Sequence, residues 1–257
     1  MIGIFDSGIG GLTVTKEIKK VLPNLKIIYF GDTARYPWGN KSPETIQRYS
    51  DEITQFLLSK GVKNIVIACN TASTFATDFL NKKYHEINFY DVISPVIDRI
   101  KKESEEKENL KIGIIGTRGT ISSGIYENKI NELGRGIKVY SKARPLFVPL
   151  VEERYIESDA TKIIAEEYLK DLKNDNLNYL VLGCTHYPLL KNVIKNVVDV
   201  EIISSAEEIA FEISTEKLNG GYSNLEDEYY FSDITLQYEK FAEEIMGQKL
   251  KIKKLSF

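Results

Sequence analysis

The sequence predicts two similar α/β domains related by pseudo-two-fold symmetry, each with a parallel sheet flanked by helices. Short apolar runs rich in β-branched residues alternate with helical patterns, which is typical of buried parallel strands. The only two cysteines, Cys69 and Cys184, directly follow two such runs, 65–68 and 179–183. In addition, three short segments recur in the same order, at offsets of 110, 115 and 110 residues. Two facing halves, each with one cysteine, follow from these observations.

The first half is predicted to alternate strands and helices. Proline fits the first turn of a helix, and glycine commonly ends one, which sets several of the boundaries. The predicted elements are a strand at 2–5, a glycine-rich turn at 6–11, a helix at 12–22 closed by Pro23, a strand at 26–30, a loop at 31–39, a helix from Ser42-Pro43 to Lys60, the first cysteine strand, a helix at 71–84, a strand at 91–95 and a charged helix end at 101–108.

The second half repeats the pattern. Its predicted elements are a strand at 111–116, a strand at 137–143, an apolar loop at 145–153, a helix at 158–173, the second cysteine strand, a helix at 189–197, a helix from Ser204 to near Gly220-Gly221, a helix at 234–246, and an edge strand at 249–255 with its lysines outward. The matching segments are 2–5 with 112–115, Cys69 with Cys184, and 92–94 with 202–204. The expected domains are 1–94 plus 207–257, and 95–206.

The composition is that of an ordinary globular chain of 257 residues, with 34 basic and 37 acidic residues and a net charge of −3. This balance gives no general attraction to nucleic acid or to an anionic membrane, so we expect neither as a partner. There is no signal-peptide pattern and no apolar run near 18 residues, so a cytoplasmic protein is expected. Two cysteines in a reducing compartment indicate thiols, and two histidines are too few to indicate a metal site.

Two loops at the ends of first-half strands are candidate binding segments. The turn Asp6-Ser7-Gly8-Ile9-Gly10-Gly11 precedes a helix, and its backbone N–H groups favour a bound anion. It lacks both the G-x-G-x-x-G pattern and a Walker lysine, so a tight turn without a ligand is the alternative. Trp38, the only tryptophan, lies between Pro37 and Gly39, which makes a place in the site as reasonable as a place in the core.

The two cysteines carry the predicted chemistry. Helix amino termini and polar neighbours can lower the pKa of a thiol, which is normally near 8.5. His186 follows Cys184 closely, and Asp6 from an adjacent strand end can accept a proton near Cys69. Two acid/base groups on opposite sides of one carbon can deprotonate one face and reprotonate the other, which inverts a stereocentre.

Four motifs, taken in order, closely resemble those of the cofactor-independent glutamate racemases of bacterial cell-wall synthesis. They are Asp6-Ser7-Gly8-Ile9-Gly10-Gly11-Leu12-Thr13-Val14, Gly31-Asp32-Thr33-Ala34-Arg35, Ala68-Cys69-Asn70-Thr71-Ala72-Ser73 and Gly183-Cys184-Thr185-His186. The match spans nearly the whole chain. It implies interconversion of L- and D-glutamate in an interdomain cleft, without a cofactor or a metal. It also implies a supply of D-glutamate for peptidoglycan, and a homodimer.

The resemblance implies a role for each site residue. Cys69 and Cys184 become the catalytic thiols, one for the α-proton of each enantiomer, with Asp6 assisting Cys69. His186, oriented by Glu152, assists Cys184; the choice of Glu152 over Glu153 rests on motif position alone. The implied substrate contacts are Asp6, Ser7, Pro37, Trp38, Gly39, Asn70, Thr71, Thr117, Thr120, Thr185 and His186.

One departure and three alternatives accompany the resemblance. The family usually has tyrosine where this chain has Trp38, so a hydroxyl contact is lost while a backbone N–H contact remains. An aspartate racemase of the same superfamily uses the same thiols, although the Asp6 motif and the 31–39 loop favour glutamate. A non-catalytic protein that binds an amino acid or a protein partner is the second alternative. A redox dithiol is the third, and it requires the two thiols at disulfide distance.

Overall fold

Parallel strands form two sheets in the computed structural model, which describes residues 1–173, 175–216 and 226–255. In these residues the strands are β1 Ile2–Asp6, β2 Ile27–Gly31, β3 Asn64–Ile67, β4 Asn88–Asp91, β5 Lys111–Gly116, β6 Lys138–Ala143, β7 Tyr179–Gly183, β8 Glu201–Ser204, β9 Glu228–Phe231 and β10 Ile252–Lys254. The first sheet has the order β10-β9-β2-β1-β3-β4, and the second has β6-β5-β7-β8. Every pairing among them is parallel, which confirms the predicted fold class.

Helices connect successive strands and cover the sheets. They are α1 Leu12–Val21, α2 Pro43–Ser59, α3 Asn70–Lys83, α4 Ser94–Glu106, α5 Arg118–Ser122, α6 Ile125–Glu132, α7 Phe147–Glu152, α8 Asp159–Lys173, α9 Lys191–Val197, α10 Ser205–Thr215 and α11 Leu236–Met246. Short 3-10 turns occupy Trp38–Asn40 and Tyr187–Leu190. The hydroxyl of Ser42 accepts a hydrogen bond from the Thr45 backbone N–H, so Ser42 caps α2.

The two sheets share one strand order, as the internal repeat predicted. The run β2-β1-β3-β4 corresponds to β6-β5-β7-β8. Phe5 lies opposite Ile67 in the first sheet, and Ile115 lies opposite Leu182 in the second. These pairs carry the 110- and 115-residue offsets of the sequence repeat. The strands that precede the two cysteines, β3 and β7, therefore occupy equivalent inner positions in the two sheets.

The strand predicted at 91–95 was wrong. The strand β4 ends at Asp91, and α4 begins at Ser94. The Asp91 carboxylate accepts hydrogen bonds from the backbone N–H groups of Ile93 (2.7 Å) and Ser94 (2.8 Å), which ends the strand and starts the helix. Strand register makes Asp91, rather than Ser94, the counterpart of Ser204 in the repeat.

The loop predicted at 145–153 was also wrong, because it contains the helix α7. Pro149 suggested a loop, but it is the third residue of α7, where the backbone N–H has no partner within the helix. The helices α5 and α6 were not predicted, because both are short and Gly124, with a φ of 68°, separates them. The predicted helix end at Gly220-Gly221 lies outside the described residues.

The carboxyl-terminal strand β10 lies at the edge of the first sheet, as predicted from its lysines. Lys251, Lys253 and Lys254 are exposed there. Charged side chains on an edge strand oppose its pairing with another chain.

One apolar core joins the two halves. Leu12 and Ile18 of α1 and Ile209 and Ile213 of α10 are fully buried in the same cluster. Leu180 and Leu182 of β7, in the second half, are buried in the same cluster, so apolar packing joins the two halves. Among the described residues, no helix is both long enough and apolar enough to cross a membrane.

Candidate active site

A cavity of about 280 Å³ lies where the carboxyl ends of the inner strands of both sheets come together. Ligands of α/β proteins bind at such strand ends. The first half contributes Ser7, Tyr36, Pro37, Trp38, Gly39, Asn40, Cys69, Asn70 and Thr71, and the second half contributes Thr117, Arg118, Pro145, Val148, Pro149, Cys184, Thr185 and His186. The two cysteines therefore open onto one space from different halves.

Cys69 lies between β3 and α3, at the residue that precedes the first turn of the helix. It is a free thiol with 5% of its surface exposed. Its Sγ atom is 3.6 Å from Ser7 Oγ. Burial, helped by the negative charge of Asp6, raises the pKa of Cys69 to about 12. The side chain is therefore a protonated thiol at neutral pH.

His186 connects Cys184 to Glu152. Its Nδ1 atom is 3.8 Å from Cys184 Sγ, and its Nε2 atom is hydrogen-bonded to Glu152 Oε1. Burial lowers the pKa of His186, but contact with the sulfur and the Glu152 carboxylate raises it well above its usual value. Burial raises the pKa of Glu152, whereas the bond to His186 brings it below its usual value. The pair is therefore an imidazolium and a carboxylate.

Glu152, not its neighbour Glu153, makes this contact. Glu152 is 7% exposed on the inner side of α7, whereas Glu153 is exposed at the end of that helix. Sequence position alone suggested Glu152, and the orientation of α7 supplies the physical reason.

Asp6 is fully buried at the end of β1, behind the cavity wall. Its Oδ2 atom accepts a hydrogen bond from the Gly8 backbone N–H (2.9 Å), and its Oδ1 atom accepts one from Thr185 Oγ1 (3.3 Å). Burial raises the pKa of Asp6, while the positive charge of His186 and these hydrogen bonds oppose the increase. Because its pKa is raised, Asp6 takes up a proton more readily at neutral pH than an exposed carboxylate does.

The glycine-rich turn allows close contact between the halves. A Cβ atom on Gly10 would lie 2.4 Å from Thr185 Oγ1 and 2.6 Å from the His186 ring. A Cβ atom on Gly11 would lie 2.4 Å from Asp6 Cβ. Glycine is therefore required here because the turn packs against the Thr185-His186 segment, which the anion-binding interpretation of this turn did not include.

Polar side chains beside Cys69 link the two halves. Asn70 Nδ2 donates to Ser205 Oγ (3.3 Å), and Asn70 Oδ1 accepts from the Tyr126 hydroxyl (2.8 Å). Thr71 Oγ1 is 3.0 Å from Thr117 Oγ1. Asn70, Thr71 and Thr117 all line the cavity.

Thr120 occupies a different position from the other predicted contacts. It is 1% exposed, and its hydroxyl is 3.1 Å from Thr117 Oγ1 and 3.4 Å from Thr71 Oγ1. It does not belong to the cavity lining. Its contact is therefore with the two lining threonines.

Trp38 is both part of the core and part of the site. It is 1% exposed, packs against Tyr49 with ring centroids 5.6 Å apart, and also lines the cavity. Gly39 follows it, and a Cβ atom there would lie 2.9 Å from Thr117 Cβ. The loop therefore closes tightly against the second half.

Sequence reasoning missed several lining residues. They are Tyr36, Asn40, Arg118, Pro145, Val148 and Pro149. Pro145, Val148 and Pro149 follow the strand β6, so the rule that carboxyl ends of parallel strands carry the site could have identified their segment. Tyr36 precedes the predicted loop contact Pro37, and its ring centroid is 6.1 Å from that of His186.

A small cavity with a free thiol from each of two similar α/β halves defines an enzyme of the amino-acid racemase class. No group of three or more metal-binding side chains occurs in the part of the chain that the structure describes.

Comparisons with known proteins agree with this class. The family model "Asp/Glu/Hydantoin racemase" matches residues 2–212. The glutamate racemase of Aquifex aeolicus is 44% identical over 253 residues, which cover 98% of this chain and 96% of that protein. The crystal structure of glutamate racemase from Francisella tularensis in complex with D-glutamate has a TM-score of 0.91 at 35% identity, covering 99% of this chain and 97% of that one.

The glutamate racemase structure from Aquifex pyrophilus has a TM-score of 0.82 at 42% identity, covering 98% of this chain and 97% of that one. The chain therefore belongs to the Asp/Glu/Hydantoin racemase family.

Proposed function

We propose that this chain interconverts L-glutamate and D-glutamate by moving the α-proton between Cys69 and Cys184. The observation that carries the proposal is the single cavity onto which both free thiols open from different halves. Acid/base groups on opposite faces of one carbon can remove a proton from one face and deliver one to the other. The product is the opposite enantiomer.

The proton balance needs no other reactant. One cysteine, as a thiolate, takes the α-proton, and the other gives its S–H proton to the opposite face of the resulting carbanion. After the reaction the two cysteines have exchanged protonation states. Proton exchange with water then restores the starting state. We therefore propose a reaction that uses neither a cofactor nor a metal.

On the first-half side, we assign the supporting role to Asp6 and Ser7. A thiol with a pKa of about 12 carries its proton at neutral pH and can give it to a carbanion, but it must lose that proton before it can act as a base. The ammonium group of the substrate brings a positive charge that lowers a thiol pKa. Asp6 can take up the released proton, because burial raises its pKa, and Ser7 Oγ lies 3.6 Å from the sulfur.

On the second-half side, His186 and Glu152 support Cys184. A protonated imidazole 3.8 Å from Sγ places a positive charge and a hydrogen-bond donor beside the sulfur. Glu152 keeps the imidazole protonated and orients its ring. Cys184 acts as the base in one direction of the reaction and as the acid in the other.

Hydroxyl, amide and backbone groups bind the substrate in this proposal. We assign contacts with the substrate carboxylates to Ser7, Asn70, Thr71, Thr117 and Thr185, all of which line the cavity. Such neutral donors can bind a carboxylate in a site that excludes water.

The remaining proposed contacts come from residues with indirect or backbone roles. The Pro37-Trp38-Gly39 loop supplies backbone groups, and His186 lies beside the reacting carbon. Asp6 faces the substrate ammonium through its charge, and Thr120 acts by orienting Thr71 and Thr117.

The resemblance and the relatives support the wider assignment. Relatives that cover nearly the whole chain are named glutamate racemases, so glutamate is the substrate that we propose. We propose further that the D-glutamate supplies peptidoglycan, and that the protein is a cytoplasmic homodimer. The two sheets support domain limits of 1–94 plus 207–257, and 95–206.

The test is solvent deuterium incorporation at the α-carbon. Purified protein without added cofactor is offered L-glutamate, D-glutamate or L-aspartate in separate reactions. We expect exchange with inversion for both glutamate enantiomers. Exchange with aspartate instead would indicate an aspartate racemase, and no exchange with any of the three would contradict catalysis.

Single replacements test the two-thiol step. Cys69→Ala and Cys184→Ala should each abolish racemisation in both directions, since each direction needs one base and one acid. Thr161→Ser, a change in α8 outside the cavity lining, serves as the control and should retain turnover. Substantial turnover in both cysteine variants would exclude the mechanism.

A further inference from the structure

One cationic side chain lies at the mouth of a cavity whose other lining groups are, apart from the imidazole and the thiols, neutral. Arg118 lines the cavity and also an outer pocket of about 510 Å³. The two spaces share Gly39 and Asn40 as well as Arg118 among their lining residues, so they are adjacent at this point. Arg118 therefore borders the cavity that holds the thiols and is also exposed to solvent.

The guanidinium of Arg118 is available to a ligand. The side chain is exposed at the first residue of α5, and none of the interactions among the described residues involves its charge. Lys41 also lines the outer pocket, and no described carboxylate side chain lines either space. The mouth is thus positive in a protein whose net charge is −3.

The backbone around Arg118 is held in place by close packing between the halves. A Cβ atom on Gly119 would lie 3.0 Å from the Gly39 carbonyl oxygen, and a Cβ atom on Gly39 would lie 2.9 Å from Thr117 Cβ. Thr117 caps α5 through its hydroxyl. The side chain of Arg118 therefore extends from a backbone that is fixed at the seam between Gly39 and α5.

We propose that Arg118 attracts anionic amino acids into the cavity and so favours a substrate with a second carboxylate over neutral amino acids. The inference rests on the proposed function, because glutamate has a net charge of −1 whereas an amino acid with an uncharged side chain is neutral overall. A cleft of one sign concentrates ligands of the opposite sign and increases their association rate. Because Arg118 is exposed and exchanges no proton in the proposed reaction, we expect it to stabilise the bound ground state and the transition state equally.

This proposal predicts a change in KM with little change in kcat. From Coulomb's law in a medium close to water, one charge at about 5–8 Å is worth about a two- to fourfold effect at low ionic strength. Arg118→Ala should therefore raise KM for glutamate by about two- to fourfold, and Arg118→Glu by about four- to fifteenfold because it reverses the charge. Arg118→Lys should stay close to the parent protein.

Salt dependence separates an electrostatic role from a structural one. At about 1 M salt the Debye length falls to about 3 Å, so the variants should converge on one KM. Arg135→Ala removes the same charge from an exposed residue outside both spaces and should leave KM unchanged. A KM defect that persists at high salt, a fall in kcat, or an equal effect of Arg135→Ala would overturn the proposal.

Binding measurements keep this test independent of turnover. The affinity for D-glutamate is measured by calorimetry at low and at high salt, for the parent chain and for the Arg118 variants. If the parent protein does not racemise glutamate, the proposed function fails, while the ranking of affinities still decides the role of Arg118. A protein that binds D-glutamate equally well with arginine, alanine and glutamate at this position would refute that role.

Discussion

Replacement of Glu152 with glutamine removes one negative charge from a buried chain of contacts while keeping its shape. In the protein, Glu152 Oε1 is hydrogen-bonded to His186 Nε2, and His186 Nδ1 is 3.8 Å from Cys184 Sγ. Glutamine can still accept a hydrogen bond from the ring, but it lacks the negative charge that favours the imidazolium. The positive charge beside Cys184 is therefore held less strongly.

The expected magnitude follows from that lost charge. A hydrogen bond to a charged partner contributes about 1.5–3 kcal/mol, and each 1.4 kcal/mol corresponds to about a tenfold change, so kcat/KM should fall by about 10- to 150-fold. The equilibrium constant between enantiomers is unity, so kcat/KM must fall equally in both directions.

The pH profile should move in a defined direction. Burial lowers the pKa of His186, while its contacts with Cys184 and Glu152 raise it, so removal of the Glu152 charge should leave a lower pKa than in the parent. Activity that needs the imidazolium is lost as the pH rises through the pKa of His186. The alkaline limb of the variant should therefore lie at lower pH than that of the parent.

The free energy of unfolding should also be lower in Glu152→Gln than in the parent protein. A raised pKa of His186 in the folded state stabilises the protein fully below the unfolded value of about 6.5, and this stabilisation is lost as the pH rises through the folded value. Glu152→Gln removes that contribution.

The assay is racemisation followed by circular dichroism from both enantiomers across pH, with thermal unfolding of the same samples. Glu153→Gln is the matched control, because it removes the same charge from the adjacent, exposed residue. Equal losses in the two variants, or an unchanged pH profile for Glu152→Gln, would refute the assignment of Glu152 as the partner of His186.

Three further predictions concern packing and buried charge. Gly10→Ala should destabilise the fold by about 1–3 kcal/mol and reduce turnover, because its Cβ would lie 2.4 Å from Thr185 Oγ1. Gly8→Ala is the control, because its Cβ would lie 3.5 Å from Tyr36 Cδ2, and it should leave thermal unfolding unchanged. Trp38→Ala should cost about 3–5 kcal/mol in urea unfolding, and a loss below 1 kcal/mol would contradict its core role. Asp6→Asn should abolish turnover without lowering Tm above neutral pH. Burial raises the pKa of Asp6, so its ionised form destabilises the folded state there. A Tm several degrees below that of the parent would contradict this prediction.

Local pattern was sufficient for most strands and for the cysteines. An apolar run that ends in small polar residues is typical of a buried parallel strand whose carboxyl end opens into a loop. For this reason β1, β3, β5 and β7, and the residues after them, could be predicted. Their equivalence also followed from the sequence offsets, which strand register later matched for Phe5 with Ile115 and for Ile67 with Leu182.

Elements whose conformation depends on a local cap or a short turn were predicted less well. The helix α4 starts at Ser94 because Asp91 caps it, and α7 tolerates Pro149 because that residue lies in the first turn. In both cases the proline and polar residues are typical of a loop or a strand end. The hydrogen bonds that start the helix leave no signal in the hydrophobic periodicity of the sequence.

The sequence by itself determined the α/β class, the repeat, the two thiols and their polar neighbours, because each depends on short segments and their order. Tertiary structure decided what those segments meet. It placed Gly10 against Thr185, turned Glu152 rather than Glu153 toward His186, and put the exposed Arg118 at the cavity mouth. These contacts join residues far apart in the chain, and they depend on how the two halves pack together through their shared apolar core.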